Sequence, residues 1–131
     1  MPVARLISPV TIVQASQRTV LVLVTTDPQE SARPAEAIRI AAGVGVWGRA
    51  QITLYLRGPA VKVLAEFPDD LLDEDSYARH LPLIREWRRP VLVERGAEGL
   101  AQLAAAPLDY REIDDDELAL VAATHEIVLR F

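Results

Sequence analysis

The chain has 131 residues, a length that fits one domain and buries roughly two thirds of its unfolded surface on folding. Nineteen acidic residues against fourteen basic give a net charge of −5. That sign repels phosphate backbones, and no stretch of Lys or Arg reverses it locally, so nucleic acid is excluded as an expected partner. No cysteine occurs, which rules out disulfides, thiolate nucleophiles and thiolate metal sites together.

The amino terminus lacks a charged stretch followed by an unbroken apolar run, so no signal peptide is expected. No apolar stretch approaches the roughly 20 residues that span a bilayer. The expectation is a cytoplasmic protein without a membrane partner. Lys62 is the single lysine, and within Pro59–Leu64 it reads as the exposed position of an apolar helical turn.

Residues 1–18 are irregular, with Pro2, Pro9 and a weak alternation over Val10–Val13. They read as an arm, an extra edge strand or a contact for a neighbouring subunit, and 19–131 as the domain proper. Thr19–Thr25 is a continuous β-branched and leucine run, the mark of a strand covered on both faces. Asp27 and Glu30 have capping-box spacing. Pro34 would be costly inside a helix begun at Pro28, so the main helix is placed at 34–47, with Gly48 ending it in a left-handed conformation. Gln51–Leu56 is the second strand, stopped by Arg57-Gly58-Pro59, and a short helix follows over Ala60–Leu64. An acidic loop at 66–76 precedes a helical stretch from Tyr77 to Trp87, interrupted or restarted at Pro82. Pro90–Glu94 is the third strand, Leu100–Ala105 a short helix, and Asp109–Ile113 a weaker fourth strand. Asp114 and Glu117 repeat the capping-box spacing and open a helix to Ala123, before a last strand at Glu126–Phe131. Strands alternating with helices argue for βαβ units and a mainly parallel sheet.

Three segments together resemble the DsrE/DsrF-like family of sulfur-relay domains. They are Val22–Pro28 with the alanine-rich Ala35–Gly43, then Ile52–Val61, then Arg89–Gly96. The resemblance runs over about 19–131. It implies a three-layer α/β/α fold with a five-stranded parallel sheet, and assembly into dimers, trimers or hexamers. It also implies a cysteine after the third strand in the active sulfur-relay members. The matching residues here are Glu94-Arg95-Gly96-Ala97, so covalent persulfide transfer is not carried over.

In open parallel sheets ligands bind beyond the carboxyl ends of the strands. The candidate ligand-binding residues are therefore Thr26, Asp27, Arg57, Gly58, Glu94, Arg95 and Gly96. Arg57 and Arg95 are suited to an anion, or they are surface residues beside glycine turns. No dinucleotide or P-loop pattern is present, and no cofactor is expected. His80 and His125 read as structural or exposed histidines. The acids at 69–75 lack the ordered ligands and glycine of a calcium loop, so no metal is expected. Trp47, Tyr55, Tyr77 and Trp87 suit core or interface packing rather than base stacking. These readings lead to a non-catalytic, oligomeric binding or scaffold protein near sulfur metabolism. The alternatives are an enzyme acting on a small molecule or anion in the crevice, and a cysteine-free subunit that pairs with a cysteine-bearing paralogue.

Overall fold

The computed structural model describes residues 18–65, 71–103, 106 and 108–131. Residues 1–17 of the proposed arm and the acids Asp69 and Asp70 lie outside them, and Arg18 belongs to the first strand instead. Five strands form one parallel sheet: β1 (Arg18–Val24), β2 (Ala50–Leu56), β3 (Val91–Glu94), β4 (Tyr110–Ile113) and β5 (Ile127–Arg130). Their spatial order is β4-β3-β2-β1-β5. The chain thus builds outward from β1 to β4, then returns across the sheet to place β5 on the other side of β1. This is the five-stranded α/β architecture that the alternation of strands and helices predicts.

β1 is central because its sequence has no polar face to offer water. Val20, Val22 and Val24 pack into the larger core, while Leu21 turns the opposite way into a smaller one. β2 repeats the division, with Ile52, Leu54 and Leu56 on one side and Tyr55 on the other. The seven-residue register from Arg18 opposite Ala50 to Val24 opposite Leu56 keeps these faces aligned.

The first face carries two helices, α1 (Arg33–Val46) and α2 (Glu74–Arg85), and two 3-10 turns, Gly58–Leu64 and Glu98–Leu103. α1 lays Ala35, Ala37, Ile38, Ala41 and Ala42 against the sheet, small side chains that allow close approach. It ends where expected, at Gly48 with φ +68°. Its start is less orthodox. Ala32 occupies the capping position without a side-chain bond, and the Ser31 hydroxyl accepts from the Arg33 N–H instead. Asp27 closes a separate turn, accepting from Gln29 through its carboxylate and from Glu30 and Ser31 through its carbonyl.

α2 departs from expectation in two ways. It begins at Glu74, inside the stretch read as loop, after Asp73 adopts a left-handed φ of 61°. It also runs through Pro82 without interruption. The ring removes one backbone bond, but Tyr77, Leu81 and Ile84 form a single buried stripe. Packing of that stripe holds the helix where propensity would break it.

The second face carries α3 (Asp115–Ala123). Only Leu118, Val121 and Ala122 reach the smaller core of Leu21, Tyr55, Leu92 and Ile113. No residue of α3 is fully buried, and all four residues of β5 are exposed. The three layers are therefore unequal. Among the described residues no helix is long and apolar enough to cross a membrane.

The two 3-10 turns touch where a Cβ on Gly99 would lie 2.8 Å from Cγ2 of the fully buried Val61. Gly43, on the exposed side of α1, has nothing within 4 Å of its own missing Cβ. Gly99→Ala is expected to destabilise by roughly 1–3 kcal/mol through overpacking. Gly43→Ala is expected to stabilise by about 0.5–1 kcal/mol through helix propensity. Denaturant unfolding of the two variants beside wild type should give midpoints moving in opposite directions.

Candidate functional site

The carboxyl ends of the strands gather three loops and the amino end of α3 along one rim. β1 exits through Thr25, Thr26 and Asp27, β2 through Arg57 and Gly58, and β3 through Glu94, Arg95 and Gly96. The exits are fixed by the backbone. The Arg57 N–H donates to the Val24 carbonyl at 2.9 Å, and the Arg95 N–H to that of Ile113 at 3.0 Å. Gly58 and Gly96 both take positive φ, 57° and 75°, conformations that side chains disfavour.

The candidate residues fall into three groups. In the first, Arg57 donates through Nε to Glu94 at 2.9 Å and through Nη2 to Asp115 at 2.5 Å. The other Glu94 oxygen accepts the Gly58 N–H at 3.0 Å. Hydrogen bonding to Glu94, and less so to Asp115, raises the Arg57 pKa against the opposing effect of burial. The Tyr55 hydroxyl lies beneath, buried and without a hydrogen-bond partner. Desolvation raises its pKa, and Glu94 and Asp115 push the same way against Arg57, so it is neutral.

In the second group Arg95 pairs with Asp114 at 3.4 Å and Glu117 at 3.3 Å, and Arg111 reaches Glu117 at 3.2 Å. The Gly96 N–H donates to Glu112 at 3.3 Å. Asp114 also caps α3, accepting the Glu117 N–H at 2.8 Å, as its spacing predicts.

The third group lies on the side of the 3-10 turns. Asp27, Gly58, Pro59, Lys62, Glu98 and Gln102 line a cleft of about 480 Å3. Lys62 is half-buried there rather than exposed on an apolar turn, with Nζ 2.9 Å from the Gln29 side-chain oxygen and 3.6 Å from Asp27. Thr26 sits at the same exit with its hydroxyl buried and unpartnered.

The rim therefore does not present bare cations. Each of its basic side chains is held by at least one carboxylate, and an anion would have to displace Glu94, Asp115, Asp114 or Glu117 to reach a guanidinium. Sequence reasoning placed Arg57, Glu94 and Arg95 at the rim but explained the charges of Asp114–Glu117 by helix capping, not as partners for the arginines. The signal for their second role was present, since that helix opens on the fourth strand exit. The histidines are structural. His80 bonds Ser76 of its own helix, and His125 bridges the Val121 carbonyl and the Thr53 hydroxyl. Among the described residues no group of His, Cys, Asp and Glu is placed to hold a metal.

No protein-family model matches this sequence, and no curated protein matches it. The fold does have a solved counterpart, the YchN protein of E. coli. The two chains superpose with a TM-score of 0.69 at 15% identity, over 88% of this chain and all of YchN. The architecture is thus the DsrE-like fold that the resemblance implies.

Two substitutions separate the layers of the rim. Arg57→Met leaves Glu94 and Asp115 facing each other. After allowance for solvent screening of these part-exposed groups, it is expected to cost about 1 kcal/mol, with the loss shrinking in high salt. Asp114→Ala removes a helix cap as well as an ion pair and is expected to cost about 1 kcal/mol, whereas Asp114→Asn retains most of that. Urea unfolding at low and high ionic strength measures both.

Proposed function

We propose that the chain is a non-catalytic, DsrE-like assembly module of the cytoplasm. It self-associates and binds or scaffolds, in the setting of sulfur metabolism that its family resemblance suggests, without persulfide chemistry of its own. The observation that carries this reading is the thin cover on the second sheet face. Leu120 is 69% exposed on α3, and Ile127, Val128 and Leu129 are exposed on the edge strand β5. Apolar side chains grouped on one edge and its covering helix favour a protein contact over open solvent. The DsrE-like fold and the cysteine-free sequence are consistent with a structural rather than a sulfur-carrying subunit.

A second copy of the chain is the partner this reading expects. Light scattering should return a dimer, trimer or hexamer, and Leu120→Glu together with Val128→Glu should shift the protein to monomer while leaving its circular dichroism intact. A wild-type monomer at all concentrations would remove the homo-oligomer. Added to a cysteine-bearing paralogue, such a monomer would instead test the hetero-oligomeric relay.

The cleft beside Lys62 favours a second reading, small-ligand binding at the strand carboxyl ends, with Arg57 and Arg95 as further candidates. A ligand bound only to the folded chain raises its melting temperature. Screening anions and nucleotides should show a shift in wild type that falls in Lys62→Gln if the cleft is used. A shift that falls only in Arg57→Ala or Arg95→Ala would move the site to the arginines.

A further inference from the structure

The basic residues are distributed unevenly between the two ends of the sheet. At the carboxyl ends Arg57, Lys62, Arg95 and Arg111 all sit in ion pairs. At the amino ends Arg49, Arg85, Arg88 and Arg89 cluster around the entries to β2 and β3. Among the described residues no carboxylate lies within ion-pairing distance of any of these four. Among the described residues these four give a molecule that is acidic in sum a cationic corner.

That corner contains a cavity of about 240 Å3, with Gly45, Ala50, Gln51, Ile52, Trp87 and Arg89 in its wall. The wall is rigid. The Trp87 indole lies so close to α1 that a Cβ on Gly45 would fall 2.9 Å from Nε1. The Arg89 guanidinium stacks on the same indole, 5.4 Å from the ring centre. Stacking fixes the plane of the guanidinium and leaves its edge donors for a ligand.

We propose that this cavity binds a small oxyanion, with Arg89 as the charged donor and the Gln51 carboxamide as a second. A half-buried guanidinium without a counter-charge is costly, and an oxyanion with planar or tetrahedral oxygens matches its paired N–H groups. Burial is the one cause acting on the Arg89 pKa, and it acts downward, so no neighbouring carboxylate compensates the charge. Glu86, three residues before it, and Asp109, whose carbonyl accepts the Val91 N–H, make no ion pair with it. The carboxyl end of α1 offsets part of the charge, but Trp47 and Gly48 N–H groups already cap two of its carbonyls. The cavity is smaller than the roughly 300–1,000 Å3 of drug-sized sites, which suits one phosphate, sulfate or carboxylate group. Arg49, Arg85 and Arg88 add attraction at longer range. The site stands at the opposite end of the sheet from the crevice and is independent of the assembly reading.

The test uses the full chain carrying Trp47→Phe, so that Trp87 is the sole indole. Its emission is followed during titration with inorganic phosphate, with acetate, and with sodium chloride at matched ionic strength. Phosphate is expected to give a saturable change that chloride does not. Arg89→Gln should weaken it by at least about tenfold, the loss of one charge-assisted hydrogen bond, while Arg39→Gln on the exposed face of α1, where Arg39 pairs with Glu36, leaves it unchanged. Saturation by acetate in place of phosphate supports the site and assigns it to carboxylates. Arg89→Lys keeps the stem and charge but loses the fork, and should retain part of the response. The proposal is overturned if neither anion saturates beyond chloride, or if the curve survives unchanged in Arg89→Gln. Should either variant fail to fold, the wild-type comparison against chloride decides.

Discussion

Burial of β1 on both faces is the constraint from which the remaining structure follows. A run of Val and Leu without polar alternation has to be flanked by strands and covered above and below. β2 and β5 supply its edges, and α1 and α3 its covers. Parallel neighbours then require crossover connections, and each crossover brings a loop to the same end of the sheet. The rim with its arginines is a consequence of the hydrophobicity of seven residues at the start of the domain.

The two ends of the sheet handle charge in different ways. At the carboxyl ends every guanidinium of the rim is answered by an acid from a different strand exit or from α3, and these bonds tie neighbouring loops together. Their individual worth is modest because the groups are partly in water, so their main effect is on loop geometry rather than on global stability. At the amino ends Arg18 pairs with Glu126, whereas Arg89 is packed against the Trp87 ring with no acid in ion-pairing distance among the described residues. A net charge summed over the sequence gives no hint of this separation.

Much of the scaffold was legible from local pattern. The continuous apolar run announced β1, Gly48 announced the end of α1, and the Asp114–Glu117 spacing announced the cap of α3. The DsrE-like architecture followed from the order of such segments. Pro82 misled because backbone propensity was weighed without the stripe of Tyr77, Leu81 and Ile84 that overrides it. Lys62 misled because its partners, Asp27 and Gln29, lie more than thirty residues upstream. Arg49, Arg85, Arg88 and Arg89 drew no reading as a cluster from the sequence, because their gathering depends on two strand entries being adjacent in space. Positions were readable where neighbours in sequence decide them, and pairings were not where the sheet register decides them.

The lopsided layering has a mechanical corollary. α3 and β5 are attached through few buried side chains, whereas the opposite layer is anchored by a dense apolar block. Detachment of the α3–β5 flap would expose Leu21 and Tyr55 while leaving α1 and α2 docked, so partial opening should proceed from one side only. Amide hydrogens of Leu118–Ala122 would then exchange ahead of those of α1, and uniform exchange across all three helices would contradict that order of release.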